Sequence, residues 1–355
     1  MSSEIKILNL LDKFINLAKT TTKTHPFIVV FLMHEYFRNI WPNDPFIEKN
    51  YSTNKIQNIE KCLETCIAVL EQTQKIGSYF DTSNNLSNFL EKYHDKIVDE
   101  DEETQNVYGS IWKNLDQKYV IEETKKELSN IFERNGLTLD EIKGKTILDM
   151  GCGSGRFTIA LAGMGASYVT GVDLGKTGIN LGTRLANELN LKNIKFIRNS
   201  VLTLPFDDNS FDFVFCKGVL HHTGNLEKGL IELHRVLKSK GKSFLYLYGS
   251  GGIFWNSRKK MREVMVEIPM NYTMKILKMI GMPDERYIFS DSWYVPIEEH
   301  VKRDFLENYL DKTLNFSKID RVDITNISGL NSMSDKTKLD KELWGNGELR
   351  YFLTK

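Results

Sequence analysis

The pattern of apolar and polar positions divides the chain into a helical first part and a second part in which short strands alternate with helices. Up to about residue 135, apolar side chains recur every three or four positions, as in EIKILNLLDKFINLAK and in KIQNIEKCLETCIAVLEQTQKI at 55–76. This period is that of an amphipathic helix. The segment FIVVFLM at 27–33 is apolar on all sides, so we expect its helix to be buried.

From residue 145 the apolar runs become shorter and are separated by turn residues. They predict strands at 145–150, 168–174, 194–200, 211–218 and 242–249, with helices over FTIALAGMG, TGINLGTRLANELN and LEKGLIELHRVLKSKG. Further along, PIEEHVKRDFLENYLDKTL predicts a helix at 296–314, and SKIDRVDIT and GELRYFLTK predict two more strands. Regular alternation of this kind predicts an open, mostly parallel sheet with helices on both faces.

Charge and composition suggest where one part ends and the next begins. The stretch DKIVDEDEETQN at 95–106 is acidic and poor in apolar residues, which is typical of a linker. We therefore expect a helical N-terminal domain over 1–105 and a sheet-containing domain over 106–355. A Met- and aromatic-rich excursion at about 249–296 predicts a helical cap inserted after the fifth strand. The N-terminal helices are expected to form a lid, a homodimer interface, or both.

The overall composition narrows the choice of partners and compartment. The chain of 355 residues has 47 Lys and Arg against 47 Asp and Glu, and this balance argues against a nucleic-acid partner. Its longest apolar run is too short to span a bilayer, and its first residues lack a secretory layout, so we expect no membrane association. Four cysteines in a chain of this size indicate a reducing compartment, the cytoplasm.

Two of the cysteines, Cys62 and Cys66, lie four positions apart on one predicted helix face. This spacing suits a metal or redox pair, but no second cluster of cysteine or histidine accompanies it in the sequence. We therefore interpret them as packed core thiols, because free cysteine is among the most buried residue types. No metal is expected anywhere in the chain.

The strongest candidate for chemistry is the stretch ILDMGCGSGRF at 147–157. A buried strand ends near Asp149, and Gly151, Gly153 and Gly155 follow at alternate positions. Glycine tolerates the backbone angles of such a turn and lets a ligand approach the main chain. A glycine-rich turn between strand and helix is typical of adenosine-containing cofactors. The spacing differs from G-x-G-x-x-G, and an acid beside the turn suits a cationic ligand better than a pyrophosphate.

These residues resemble the first motif of class I S-adenosylmethionine-dependent methyltransferases. The stretches VTGVDL, LTLPFDDNSFDFVFCKGVLHHT and LHRVLKSKGK resemble the ubiquinone/menaquinone-biosynthesis-type branch of that superfamily. The resemblance covers about 140–250 and is weaker to the end. It implies a Rossmann-like, seven-stranded, mostly parallel doubly wound sheet, S-adenosylmethionine as cofactor, and methyl transfer to a small-molecule acceptor.

The resemblance also implies roles for individual residues that bind the cofactor. Asp173, at the end of the second strand, would accept hydrogen bonds from the ribose hydroxyls, and Leu174 would pack on the adenine. In this branch an acidic residue commonly follows the third strand, but Ser200 stands here, so the serine or the Val201 main chain would have to meet the adenine. The implied cofactor-binding residues are Asp149, Gly151, Cys152, Gly153, Gly155, Asp173, Leu174, Ser200, Val201, Cys216, Lys217 and Gly218.

Residues for catalysis and for the acceptor are suggested by their place in the chain. His221 and His222 follow the fourth strand, where an imidazole could act as general base or could shape the pocket. Aromatic residues in two segments are expected to line a lid over the cofactor, namely Tyr108, Trp112, Trp255, Tyr287, Trp293 and Tyr294.

The cofactor motifs leave the reaction itself open. Methyl transfer releases S-adenosylhomocysteine and depends mainly on positioning and exclusion of water. The same sulfonium could instead lose its aminocarboxypropyl arm to an acceptor or cyclise to azetidine-2-carboxylate, in both cases releasing methylthioadenosine. A non-catalytic S-adenosylmethionine-binding module is a further alternative. Methyl transfer is the hypothesis that the sequence favours.

Overall fold

The computed structural model describes residues 3–40, 54–77, 117–282, 292–322 and 338–355. The principal helices are α1 Ser3–Thr22, α2 Pro26–Ile40, α3 Asn54–Gly77, α4 Gln117–Arg134, α5 Arg156–Gly163, α6 Lys176–Glu188, α7 Leu226–Val236, α8 Gly252–Met265, α9 Met270–Met279, α10 Arg303–Asn308 and α11 Lys338–Trp344. The strands are β1 Thr146–Met150, β2 Tyr168–Asp173, β3 Ile194–Arg198, β4 Phe211–Lys217, β5 Leu237–Tyr248, β6 Lys318–Arg321 and β7 Glu348–Thr354.

The chain divides into two compact units, each assembled from three stretches of sequence. The helical unit takes in Met1–Ile97, Ser250–Val295 and Met333–Asn346, and the sheet unit takes in Val98–Gly249, Pro296–Ser332 and Gly347–Lys355. The expected boundary at 105/106 lies outside the described residues, so the domain limits and the lid role stay predictions.

The sheet unit is built on one seven-stranded sheet in the order β3-β2-β1-β4-β5-β7-β6. Strands β1 to β5 pair in parallel, whereas β7 runs antiparallel to both β5 and β6. Ile147, Leu148 and Met150 of the central strand are fully buried, as expected for a strand covered on both faces. The predicted fold class, a mostly parallel doubly wound sheet, is confirmed. The carboxyl ends of β1, β2 and β4 meet at one edge, where ligands of such sheets bind.

The boundary between α7 and β5 differs from the prediction. The helix ends at Val236, whereas the sequence predicts that it continues to Gly241. Leu237 already pairs with Phe211 of β4, and Lys240 adopts a left-handed φ of 62°, which a helix does not accommodate. The polar stretch before the apolar part of the strand is therefore a bulged start of β5.

The helix predicted at 296–314 is shorter than the pattern suggests. It occupies Arg303–Asn308 and continues as a π-helical turn over Tyr309–Thr313. The preceding residues are not helical because their amides bond to the sheet edge: Glu299 N donates to His221 O at 2.8 Å, and Val301 N donates to Tyr248 O at 3.0 Å. Tertiary hydrogen bonds thus override the local helical pattern.

The helical unit has an aromatic interior formed by residues from distant parts of the sequence. Phe37 of α2 packs on Trp293 with ring centroids 5.9 Å apart, and Tyr36 shares a 2.7 Å hydrogen bond with Ser257 of α8. In the segment 27–33, Val29, Val30, Leu32 and Met33 are buried, whereas Phe27 and Phe31 are exposed on the same face of α2. Within the described residues, no helix combines the length and apolar character needed to cross a membrane.

Candidate cofactor-binding site

The glycine loop after β1 has a backbone that side chains would not tolerate. Gly151, Gly153 and Gly155 have φ values of 83°, 54° and 83°, in the left-handed region that favours glycine. A Cβ on Gly151 would also lie 2.4 Å from both Cγ atoms of Val219, and one on Gly155 would lie 2.5 Å from the Phe196 ring. The loop therefore needs glycine both for its dihedral angles and for its close packing.

Asp173, at the end of β2, joins this loop to the start of α6 through its two carboxylate oxygens. Gly153 N donates to Oδ2 at 2.8 Å, and Gly175 N donates to Oδ1 at 2.7 Å. Burial raises the pKa of Asp173, and the two amide hydrogen bonds oppose that rise. Each oxygen of a carboxylate has a second lone pair, so the predicted contact with ribose hydroxyls is chemically compatible with this arrangement.

Asp149, in contrast to Asp173, lies inside the protein beneath the glycine loop. It is only 3% exposed, and Thr158 in the first turn of α5 donates a 2.6 Å hydrogen bond from Oγ1 to its Oδ2. Burial raises the pKa of Asp149 to about 7, and the nearby charge of Asp173 adds to the rise. Asp149 thus ties β1 to the helix that follows the loop. Sequence analysis missed Thr158, although a hydroxyl three positions after Gly155 is a readable signal.

Ser200 and Val201, which are predicted to contact the adenine, already make contacts within the protein. Ser200 Oγ accepts a 3.1 Å hydrogen bond from Leu202 N, and Ser200 N donates to Asn199 Oδ1 at 2.7 Å. The Val201 side chain belongs to the hydrophobic core, so only its main chain is available for a ligand. Leu174 is partly exposed at the end of β2, as a residue that packs on a flat ring would be.

At the end of the site predicted to hold the amino-acid part of the cofactor, the side chains of Cys152 and Cys216 are buried. Cys216 is fully buried among the core residues of the sheet, and burial raises the pKa of its thiol. Cys152 is 6% exposed, and burial likewise raises the pKa of its thiol. Any contact of these residues with a ligand would therefore be made by the main chain. Gly218, with a φ of 74°, continues the same edge.

A group of partly buried charges that sequence analysis missed surrounds Lys217. Its Nζ lies 3.1 Å from Glu127 Oε1 of α4, and Arg156 Nη1 lies 3.5 Å from the other oxygen of that carboxylate. Burial opposes ionisation, but Lys217 and Arg156 hold the pKa of Glu127 below its ordinary value. Glu127 thereby anchors α4 to the edge formed by β4 and the start of α5.

A second pair of opposite charges, which is buried, lies on β7 next to β5. Glu348 and Arg350 of β7 are in contact, and Tyr246 Oη of β5 donates to Glu348 Oε1 at 2.7 Å. The Arg350 guanidinium stacks over the Tyr246 ring with 4.5 Å between its central carbon and the centroid. Polar side chains thus continue along the carboxyl edge of β5 beyond the predicted cofactor residues.

The two histidines after β4 differ in their surroundings. The His221 ring is fully buried and stacks on Tyr248, with centroids 3.9 Å apart. His222 is partly buried, and its Nδ1 lies 2.7 Å from the carbonyl oxygen of Ile297. A carbonyl can only accept, so Nδ1 carries the hydrogen and Nε2 is the proton-accepting nitrogen of the neutral ring.

Three of the six residues predicted to line a lid are described by the structure, and all three belong to the helical unit. Trp255, Trp293 and Tyr294 are buried in the helical unit, where Tyr294 Oη shares a 2.5 Å hydrogen bond with Thr273. Tyr108, Trp112 and Tyr287 lie outside the described residues. Contact of these six with an acceptor stays a prediction.

Comparison with known proteins shows similarity to methyltransferases over part of the sheet unit. A methyltransferase-domain family model matches residues 148–245. A demethylmenaquinone methyltransferase of Staphylococcus epidermidis is 34% identical over 143 residues, covering 37% of this chain and 56% of its own length. Phosphoethanolamine N-methyltransferase 2 of Caenorhabditis elegans is 31% identical over 108 residues, covering 30% and 25%. This chain therefore spans less than two thirds of these relatives.

Among solved structures, YcgJ of Bacillus subtilis aligns over 63% of this chain and 98% of its own, with 17% identity and a TM-score of 0.41. The matched segment, 148–245, contains the glycine loop, Asp173 and the histidine pair. Residues 148–245 thus match a methyltransferase domain, and the predicted resemblance to methyltransferases is confirmed over this segment.

Proposed function

We propose that this protein transfers the methyl group of S-adenosylmethionine to a small-molecule acceptor and releases S-adenosylhomocysteine. The observation that carries the proposal is the glycine loop held by Asp173, whose two oxygens bond the amides of Gly153 and Gly175. A loop fixed in this way presents its backbone to a ligand at the carboxyl end of the sheet.

The charges at the loop support a cationic cofactor. Burial raises the pKa of both Asp149 and Asp173, and the charge of Asp173 raises the pKa of Asp149 further. The Arg156 charge offsets only part of this rise at Asp149, so a positively charged ligand would favour the ionised carboxylates. When bound, the cofactor provides an electrophilic methyl group on a positively charged sulfur. Asp173 and Leu174 would hold its nucleoside, and Lys217 and Gly218 would border its amino-acid end.

His222 is the residue that we propose as general base for the acceptor. The carbonyl of Ile297 orients its ring through Nδ1, so a proton taken from the nucleophile would go to Nε2. His221 is proposed to shape this edge, because its ring is buried against Tyr248. The matched variants are His222→Gln, which removes the base, and His221→Phe, which keeps an aromatic ring in place.

The expected result is a fall in kcat of about 10²–10⁴-fold for His222→Gln, with little change in cofactor Kd, because the base acts on the acceptor. His221→Phe should retain most of the activity. The measurement is the rate of S-adenosylhomocysteine formation across pH. If the two variants lose activity equally, or His222→Gln loses none, the assignment of the base is wrong.

The function itself is tested by mass spectrometry of the protein incubated with S-adenosylmethionine and a cell extract that supplies acceptors. Extract-dependent S-adenosylhomocysteine, together with a product heavier by one methyl group, is the expected outcome. Boiled protein and Asp173→Ala serve as controls, since the variant loses the hydrogen bond to the loop at Gly153 and the one to Gly175 at the start of α6. Methylthioadenosine formed without extract would overturn methyl transfer in favour of arm transfer or cyclisation.

The proposal also includes the compartment and the oligomeric state of the protein. The four cysteines are free thiols, which supports a role in small-molecule metabolism in the reducing cytoplasm. A homodimer through the N-terminal helices is supported by the exposed Phe27 and Phe31 of α2. Sedimentation of the wild type beside a Phe27→Ser/Phe31→Ser variant tests it, because loss of these rings should shift a dimer towards monomer.

A further inference from the structure

The thiols of Cys62 and Cys66 form a pair on α3 that the proposed function does not use. They are separated by one turn of this helix, and both are free. A rise of about 1.5 Å per residue and the helix radius place their Cα atoms roughly 6 Å apart. Disulfides join Cα atoms about 4.4–6.8 Å apart, so this separation permits a bond. The two thiols therefore lie on the same face of the helix, close enough to bond once the turn between them tightens.

The two cysteines are not equivalent in their surroundings. Cys62 is partly exposed, whereas Cys66 is 3% exposed. Cys62 Sγ accepts a hydrogen bond from the Cys66 thiol and another, at 3.5 Å, from Asn39 Nδ2 of α2. The hydrogen bond from Cys66 lowers the pKa of Cys62, although burial and the Glu35 carboxylate oppose the shift. Cys62 is thus the thiol better able to carry a negative charge.

The surroundings of the two cysteines argue against a metal site and against thiols that serve only in packing. Across the described ranges there is no group of three or more His, Cys, Asp or Glu side chains able to hold a metal ion. Packing alone would leave both thiols buried, as Cys152 and Cys216 are, with burial raising the pKa of each. A partly exposed cysteine that accepts from an amide and has a second thiol one helical turn away is the arrangement of a redox pair instead.

We propose that Cys62 and Cys66 form a reversible redox modification site that is oxidised by hydroperoxides. The Cys62 thiolate attacks one peroxide oxygen, the O–O bond breaks, and hydroxide leaves and takes a proton to become water. This step gives a sulfenic acid on Cys62. The Cys66 sulfur then attacks the Cys62 sulfur, and the S–O bond breaks with loss of a second water. The two thiols lose two electrons in total, and the peroxide gains them.

The bond formed would be strained, which suits a reversible modification. Side chains four apart on a helix have Cβ atoms about 5–6 Å apart, whereas a disulfide requires about 3.5–4.5 Å. The turn 62–66 must therefore tighten. Leu63 and Ile67, which are buried in the same turn, would shift with it. Strained disulfides have higher reduction potentials, so a dithiol reductant should reopen this one readily.

The test exposes the intact protein to hydrogen peroxide, quenches with a thiol-alkylating reagent and maps the tryptic peptides. One peptide, CLETCIAVLEQTQK, contains both thiols. In the wild type it should lose the mass of two hydrogens and take up no label, and it should take up two labels after dithiothreitol. Its oxidation should be more than about tenfold faster than that of Cys152 and Cys216, because the thiolate is the nucleophile.

Two variants separate the roles of the thiols. Cys66→Ser should stop at a sulfenic acid that a dimedone probe traps on Cys62, and Cys62→Ser should leave Cys66 as slow as the buried cysteines. Circular dichroism confirms that each variant is folded. Equal oxidation rates at all four cysteines, or conversion of Cys62 directly to sulfonic acid in the wild type, would overturn the proposal. The result is independent of the proposed methyl transfer, which is measured separately.

Discussion

Replacing Asp149 by asparagine should stabilise the sheet unit at alkaline pH and weaken cofactor binding at the same time. The carboxyl is 3% exposed, accepts a hydrogen bond from Thr158 and lies beside Asp173. Asparagine has nearly the same shape and keeps an oxygen for the Thr158 hydroxyl. The substitution therefore removes the charge while leaving the packing of the loop in place.

The magnitude follows from the pKa of Asp149, which burial raises from 3.8 to about 7. A shift of about three units corresponds to about 4 kcal/mol. The sign is that of an acid whose folded pKa is raised: its contribution to stability is fully present below pH 3.8 and is lost as the pH rises through about 7. Between pH 5 and 8 the free energy of unfolding of Asp149→Asn should therefore rise by about 3 kcal/mol relative to the wild type.

Hydrogen exchange of the β1 and β4 amides, followed by mass spectrometry at pH 5, 6.5 and 8 after correction for intrinsic rates, measures this difference within the sheet unit. Isothermal titration with S-adenosylmethionine at pH 8 should show at least about tenfold weaker binding by the variant, since a buried charge that faces a cation is lost. A stability difference that does not change with pH would show that Asp149 is ionised throughout, and the argument from burial would fail.

Two further substitutions test the loop and the buried charges around it. Gly151→Ala should lower cofactor affinity more than tenfold and destabilise the sheet unit by about 3 kcal/mol, because it combines left-handed strain with a clash against Val219. Its control is Gly144→Ala, which has a φ of 69° and nothing within 4 Å of the added Cβ, and which should cost about 1 kcal/mol in urea unfolding. Glu127→Gln should cost about 2 kcal/mol, because two partly buried cations lose their shared carboxylate, whereas Glu123→Gln on the same helix, at 45% exposure, should cost less than about 0.5 kcal/mol; equal losses would contradict the burial argument.

Much of the sheet could be predicted because its strands are apolar runs. Such runs are buried whichever particular residues pack against them. The first four strands lie within a residue or two of their predicted bounds. The errors occur where long-range hydrogen bonds decide the conformation. Val301 and Glu299 donate to the sheet edge, so the first part of the helix predicted at 296–314 does not form. No periodicity in the sequence carries that information.

The candidate site likewise contains residues that could be predicted from the sequence and residues that could not. The glycines, Asp149 and Asp173 are recognisable because a tight turn and a cationic ligand require those residue types at that spacing. Glu127 is not recognisable, because its partner Lys217 lies on a strand far away in the sequence. The pairing exists only once α4 has packed against the sheet. Likewise, the carbonyl of Ile297 that orients His222 is a main-chain atom, which leaves no signature in the side chains.

The position of β7 in the sheet has a consequence for synthesis on the ribosome. This strand covers one edge of β5, yet Tyr246 and its hydrogen-bond partner Glu348 are 102 positions apart. Until β7 emerges, that edge exposes unpaired backbone groups flanked by Phe244, Leu245 and Leu247, all of which are fully buried in the finished fold. Translation at about 5–20 residues per second leaves it uncovered for roughly 5–20 seconds. During this interval the nascent chain is open to aggregation, and slower translation lengthens the exposure.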